Sequence, residues 1–220
     1  MEGHLIRPHL LMYKTDEELV ALASGGNTDA FNQLVVRWER PIHALAYRVL
    51  GREEDARDVS QEAFLRAFRG LKGFKGQAKF SSWLYRIALN LCRDWLRRER
   101  RGGVVQPPGG FELDEQAIVD PINESVEDLI VRRDLGRAVS KLMATLPDEQ
   151  RIVIVLKEYH GLTFREIADL IACPLSTVKT RLYQGLSVLR RQLGQSGLNA
   201  SLPSRPTMTY PQPIVRSSEQ

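Results

Sequence analysis

The chain has 220 residues, of which 43% are hydrophobic and 26% charged, and a formal net charge of +4. That length holds one large domain or two small ones, and that balance is the balance of a folded soluble protein, excluding collagen-like and low-complexity chains. No apolar run approaches the ~20 residues needed to span a bilayer, Cys92 and Cys173 form no Cys-x-x-Cys pair, and His4, Arg7 and Pro8 break the apolar start against a signal peptide, so a cytoplasmic protein without membrane insertion, disulfide, metal or cofactor is expected.

Nearly every segment reads as helix, which makes the fold class all-α: two helical domains joined by a flexible acidic linker, the second a helix-turn-helix domain. Residues 1–14 form an N-terminal extension. Asp16 to Ala23 carries Leu19, Val20, Leu22 and Ala23 behind Thr15, with Glu18 at capping-box spacing. Gly25-Gly26-Asn27 breaks it. From Asp29 to Leu50, the residues Phe31, Leu34, Val35, Trp38, Ile42, Leu45, Ala46 and Val49 recur at three-and-four spacing as one apolar stripe. Pro41 inside it predicts a kink. After Gly51, Arg52 to Leu71 turns Ala56, Val59, Ala63, Phe64, Ala67 and Phe68 inward. Gly73 and Gly76 make the stretch to Lys79 a loop, and a fourth helix runs from Ser81 or Ser82 to about Arg100.

Charge is segregated around the end of that helix. Arg86, Arg93, Arg97, Arg98, Arg100 and Arg101 crowd one stretch, whereas Glu112, Asp114, Glu115, Asp120, Glu124, Glu127 and Asp128 follow with no Lys or Arg among them. Gly102, Gly103, Pro107, Pro108, Gly109 and Gly110 mark the boundary. The first domain therefore spans 15–101, an acidic linker that orders on binding spans 102–130, and a second helical domain spans 131–193. Ile152 to Leu156 alone has a strand-like run, and a buried helix fits it as well. The tail, 194–220, places Pro203, Pro206, Pro211 and Pro213 among serines and reads as disordered.

Within the second domain, Thr163-Phe164-Arg165-Glu166 is a capping box. Ile167, Ala168, Leu170 and Ile171 give that helix a buried face, with Ala168 small where a partner helix approaches. Cys173-Pro174-Leu175 forms a turn, Ser176 or Thr177 caps the next helix, and Val178, Leu182, Leu186 and Leu189 point inward. Ser176, Thr177, Lys179, Thr180, Arg181, Tyr183 and Gln184 then face solvent near the amino end, the part of such a helix that enters a major groove. Arg181 suits a bidentate contact to guanine, and Lys179 and either Arg190 or Arg191 suit phosphates. A plain pair of antiparallel helices with a solvated basic face is the competing reading.

The fourth helix is the second signal. Leu84, Ile87, Ala88, Leu91, Cys92 and Trp95 take its buried side, leaving Trp83, Tyr85, Arg86, Asn90, Arg93 and Arg97 for other faces. Aromatics stack on unpaired bases while arginines track the backbone, so an opened strand is the partner that uses both. The competing reading puts Trp83 and Tyr85 in the core.

Three motifs in order — Asp55 to Phe68, Phe80 to Asn90, and Leu146-Pro147 through Leu193 — closely resemble the extracytoplasmic-function sigma factors of bacterial RNA polymerase, over about Thr15 to Leu193. The resemblance implies a non-enzymatic factor that brings core polymerase to promoters, in stress-responsive transcription. It implies that Asp55, Asp58, Gln61, Glu62 and Arg66 dock on the clamp helices of the polymerase largest subunit. It implies that Lys79, Phe80, Ser81, Trp83, Arg86 and Asn90, continued by Arg93 and Arg97, hold the melted −10 strand. The second domain would read duplex −35 DNA, and an anti-sigma protein is an expected partner. In the family the linker threads toward the active-site and RNA-exit channel. Two elements ~25 base pairs apart lie ~85 Å apart at ~3.4 Å per pair, and a fully extended 102–130 reaches roughly 95 Å at ~3.3 Å per residue.

Gln184-Gly185 departs from the family, where many relatives have a basic residue followed by alanine. A mid-helix glycine costs about 1 kcal/mol against alanine. A helix-turn-helix regulator that binds an operator without polymerase is the main rival, but the sequence has no heptad seam and no ligand motif. A DNA-processing enzyme is the other. It fails for want of a phosphate loop, a metal-spaced cluster or a nucleophile motif, with His4, His9, His43 and His160 scattered.

Overall fold

A computed structural model describes residues 11–74, 76, 78–101, 136 and 138–195, and all regular structure among them is helical. Four helices form the first unit: α1 (Asp16–Ser24), α2 (Thr28–Leu50), α3 (Glu53–Gly70) and α4 (Phe80–Arg101), with a 3-10 turn at Leu71–Gly73. The second unit has a helical stretch at 138–144, then α5 (Asp148–Ile154) running into a π-helical turn at Val155–Tyr159, α6 (Phe164–Ile171) and α7 (Leu175–Gln195). The linker 102–130 lies outside the described residues. Of the expected tail, Gly194 and Gln195 continue α7, and 196–220 lie outside.

Local chemistry sets the helix ends. Thr15 Oγ1 accepts from Glu18 N at 3.2 Å while Glu18 Oε2 accepts from Thr15 N at 2.8 Å, the reciprocal box that satisfies two orphan donors. Asn27 caps α2 by accepting from Ala30 N. That helix continues through Pro41 to Gly51, whose left-handed φ of 79° lets its N–H close on Tyr47 O. Acidic Glu53, Glu54 and Asp55 occupy the first turn of α3, where the helix dipole favours them.

The apolar stripes then meet in one core. Leu19, Leu34, Ile42, Leu45 and Leu84 are fully buried in the first unit, and Ile152, Val153, Leu156, Ile167 and Val178 in the second. Leu11, placed by sequence in the extension, is also fully buried, because Arg37 Nη2 holds the segment to α2 through Lys14 O at 2.9 Å. Phe68, expected inward, is 49% exposed and rests edge-on against Phe31. The two units pack on each other along α4 and the end of α2: the Tyr85 hydroxyl of α4 meets His160 Nδ1 at 3.0 Å, and the Arg48 guanidinium of α2 stacks 4.6 Å over the Tyr159 ring.

Candidate nucleic-acid interface

The turn between α6 and α7 is built by caps. Thr163 and Glu166 form the expected box, and hydrogen bonds from the Thr163 backbone and then its hydroxyl hold the Glu166 carboxyl below its usual range. At the other end of α6, Ala172 takes a left-handed φ of 52°, uncommon for a residue with a Cβ, and Cys173 N closes on Ala168 O. Helix α7 starts at Leu175, not behind a Ser176 or Thr177 cap, and Val178 N reaches back to Pro174 O. Ser176 and Thr177 thus sit in its first turn.

Val178, Leu182, Gly185 and Leu189 are the buried stripe of α7. Ser176, Lys179, Thr180, Tyr183 and Gln184 are exposed, and Thr177 and Arg181 are half-buried. Leu186, expected inward, lies at the edge with 36% exposure. Gly185 has a steric reason to lack a side chain, because a Cβ there would come within 2.7 Å of Ile154 Cδ1 and 3.3 Å of Gln150 Cβ. The departure from the family pattern is a close helix approach. Arg181 does not point freely outward: it donates to Glu149 Oε2 at 2.8 Å.

On α4 the expected −10 residues divide. Lys79, Arg86, Asn90 and Arg97 are exposed; Ser81, Trp83 and Arg93 are half-buried. Phe80 is 1% exposed and packs edge-on to Phe74, so it is a core residue with no face for a base. Trp83 lies against Phe74 at 4.9 Å between ring centroids and closes on Gly70, where a Cβ would meet its ring at 3.1 Å. Tyr85 is buried as well. Arg86 donates to Asp169 O at 3.1 Å, Arg93 to Glu149 Oε2 at 3.3 Å and Arg97 to its neighbour Asp94. The first two of those partners belong to the second unit.

On α3, Asp58, Gln61 and Arg66 are exposed, and Glu62 pairs with Arg66 at 2.7 Å. Asp55 is instead turned into the protein toward Arg52 Nε at 3.1 Å, and burial raises its pKa. Leu65, half-exposed beside the Glu62–Arg66 pair, completes this face. Its signal in the sequence was a leucine standing off the inward stripe.

Between the units, Asp148 accepts from Arg151, which is 3% exposed, and from Arg100. Burial pushes the His160 imidazole down to about 3, with Arg48 adding to the effect. Its Nε2 is shut from solvent without a hydrogen-bond partner, although the residue keeps an edge at the surface. Burial also pushes the Cys92 thiol up to about 12, leaving it inert. Among the described residues no group of His, Cys, Asp and Glu is arranged to hold a metal ion, and no helix is long and apolar enough to cross a membrane.

Fold and surfaces together define a two-unit helical DNA-binding protein, one unit carrying a helix-turn-helix and the other an arginine-rich helix. Residues 34–102 match sigma-70 region 2, and residues 136–189 match sigma-70 region 4. The chain is 37% identical over 172 residues to the ECF RNA polymerase sigma factor SigW of Bacillus subtilis, covering 76% of this chain and 91% of that one. It is similar to CnrH in complex with the cytosolic domain of CnrY, with a TM-score of 0.57 and 26% identity over 85% of this chain and 99% of that chain. It shares the fold of the sigma factor RpoE in complex with the anti-sigma factor NepR from Bartonella quintana, with a TM-score of 0.56 and 20% identity over 74% and 96% of the two chains. The chain belongs to the sigma-70 family, among its extracytoplasmic-function members, and directs core RNA polymerase to promoters and promotes DNA melting for initiation.

Proposed function

We propose that three surfaces divide the work of initiation. The exposed face of α3, with Asp58, Gln61, Glu62, Leu65 and Arg66, docks on the clamp helices of the polymerase largest subunit. Along α4, Lys79, Ser81, Trp83, Arg86, Asn90, Arg93 and Arg97 receive the melted −10 strand, arginines on phosphate and the Trp83 edge toward bases. The amino half of α7 reads the −35 duplex from the major groove through Ser176, Thr177, Lys179, Thr180, Arg181, Tyr183 and Gln184. The observation that carries this reading is the run of exposed polar and basic side chains on α7 directly after a capped turn.

The chain makes and breaks no covalent bond itself; polymerase supplies the chemistry. Free in the cytoplasm it binds promoters weakly, and core polymerase joins two weak contacts into one strong contact by fixing their separation. An anti-sigma protein is its regulatory partner. Run-off transcription on a genomic fragment pool, with purified core polymerase, tests the reading. Specific transcripts that vanish when this chain is omitted support it. Protection of an operator without polymerase, and no transcripts with it, would establish the regulator reading instead.

A further inference from the structure

Arg181 is held in place before any DNA arrives. Both contacts of its guanidinium run through Nη1, to Glu149 Oε2 at 2.8 Å and, more loosely, to Cys173 Sγ at 3.9 Å. Nε and Nη2, side by side on the other edge of the planar group, have no hydrogen-bond partner among the described residues. That pair of donors is the fork that fits O6 and N7 of a guanine. The brace lies wholly inside the second unit, from the first turn of α5 to the middle of α7. Gly185, one turn after Arg181, lets those helices come close, since a Cβ there would lie 2.7 Å from Ile154 Cδ1 and 3.3 Å from Gln150 Cβ. Arg93 of α4 shares the same Glu149 oxygen at 3.3 Å, but the bond to Arg181 needs no residue of the first unit.

We propose that Glu149 is a positioning residue for −35 recognition: it fixes Arg181 so that the Nε–Nη2 edge addresses one G·C pair in the major groove. The inference rests on the assignment of the amino half of α7 to the −35 duplex. An unbraced arginine samples many rotamers, and ordering it on the DNA costs binding free energy. A carboxylate on Nη1 meets part of that cost in the free protein and leaves the reading fork intact. Its negative charge also disfavours phosphate at the same place, so the braced cation favours a base edge over the backbone. The Arg181 and Glu149 side chains are 29% and 41% exposed, so solvent screens the pair and its effect is modest.

The test measures discrimination rather than affinity. Holoenzyme with the full chain is titrated against a promoter found by run-off transcription and against single base-pair substitutions through its −35 element. Arg181→Ala is expected to flatten the preference at one position, by about 5- to 150-fold. Glu149→Ala flattens the same position by about 2- to 5-fold and leaves the others as they were. In the Arg181→Ala background it has no further effect there, because the two side chains act as a unit. Glu149→Gln, close in shape and still an acceptor, keeps part of the preference and guards against a folding defect. Freeing Arg93 changes binding to every sequence alike and does not move this readout. Glu149→Ala altering affinity equally at all sequences overturns the proposal, as does a lost preference at a position Arg181→Ala leaves intact. If Gln184→Ala shifts a −35 preference and Arg181→Ala shifts none, Arg181 is no base reader and the brace has no such role. If neither does, the assignment of α7 itself has failed.

Discussion

Helices α4 and α7 are almost equal in length, at 22 and 21 residues, and both are amphipathic and carry arginines. Their burial differs in kind. On α7 only Val178, Leu182, Gly185 and Leu189 are buried, a single stripe at four-three-four spacing flanked by half-buried Thr177, Arg181 and Val188, with the opposite side open to solvent. On α4, Phe80, Leu84, Tyr85, Ala88, Leu89, Leu91, Cys92 and Leu96 are buried, too wide a band for one face. The first helix is wedged between two units, and the second leans on one. The polar side of α7 is therefore largely open, whereas Arg86, Arg93 and Arg100 of α4 are held by partners on α5 and α6.

The comparison breaks most visibly at Phe80. If it is core, Phe80→Ala costs about 3–5 kcal/mol of first-domain stability in chemical denaturation. Unchanged stability with lost promoter melting would return it to the DNA surface. The opposite probe lies on the stripe of α7. Gly185→Val drives branched carbons into Ile154 and Gln150 and costs about 2 kcal/mol, while Gly185→Ala costs less because helix propensity offsets part of the clash. Thermal melts of both variants, ranked in that order, are the expected result.

Acid sharpens the difference at the seam. The His160 pKa is lowered to about 3 by burial and by Arg48, so the folded chain binds fewer protons than the unfolded chain. That contribution is fully present above pH ~6.5 and is lost as pH falls from there toward about 3. By pH 5.5 the loss is about 1.4 kcal/mol. Denaturation midpoints measured from pH 7.5 to 5.5 should fall accordingly in the wild type and flatten in His160→Gln. The smallest effect belongs to the free side of α7. Lys179→Ala, with its ammonium at the surface 5.8 Å over the Phe164 ring, weakens holoenzyme binding a few-fold at every promoter and lowers the salt slope by about 1. A loss confined to one promoter sequence would make Lys179 a base reader.

The helices, their caps at Thr15 and Thr163, the turn before α7 and the exposed Lys179, Thr180, Tyr183 and Gln184 were legible in the sequence. Each follows from spacing within a few residues, where backbone hydrogen bonds and a single apolar stripe decide the outcome. What was not legible depends on partners distant in sequence. Asp55 looked like surface until Trp95, forty residues on, was placed against it. Tyr85 looked available because the stripe on α4 already seemed filled by Leu84, Ala88 and Leu91, and Phe80 was placed on the DNA surface by the family resemblance alone. Gly185 looked like a defect, since nothing local says that Ile154 stands 2.7 Å from where its Cβ would be.

By itself, the sequence determined an all-helical chain with a helix-turn-helix and an arginine-rich helix, because periodicity and capping are local properties of the backbone. Only the tertiary structure decided which cations remain free. Arg86, Arg93 and Arg181 have the same chemistry as Arg190 and Arg191, and what separates them is that Asp169 O and Glu149, from elsewhere in the fold, arrive within hydrogen-bonding distance. Charge neutralisation falls off over a few ångströms, so it is set by packing, which no spacing along the chain records.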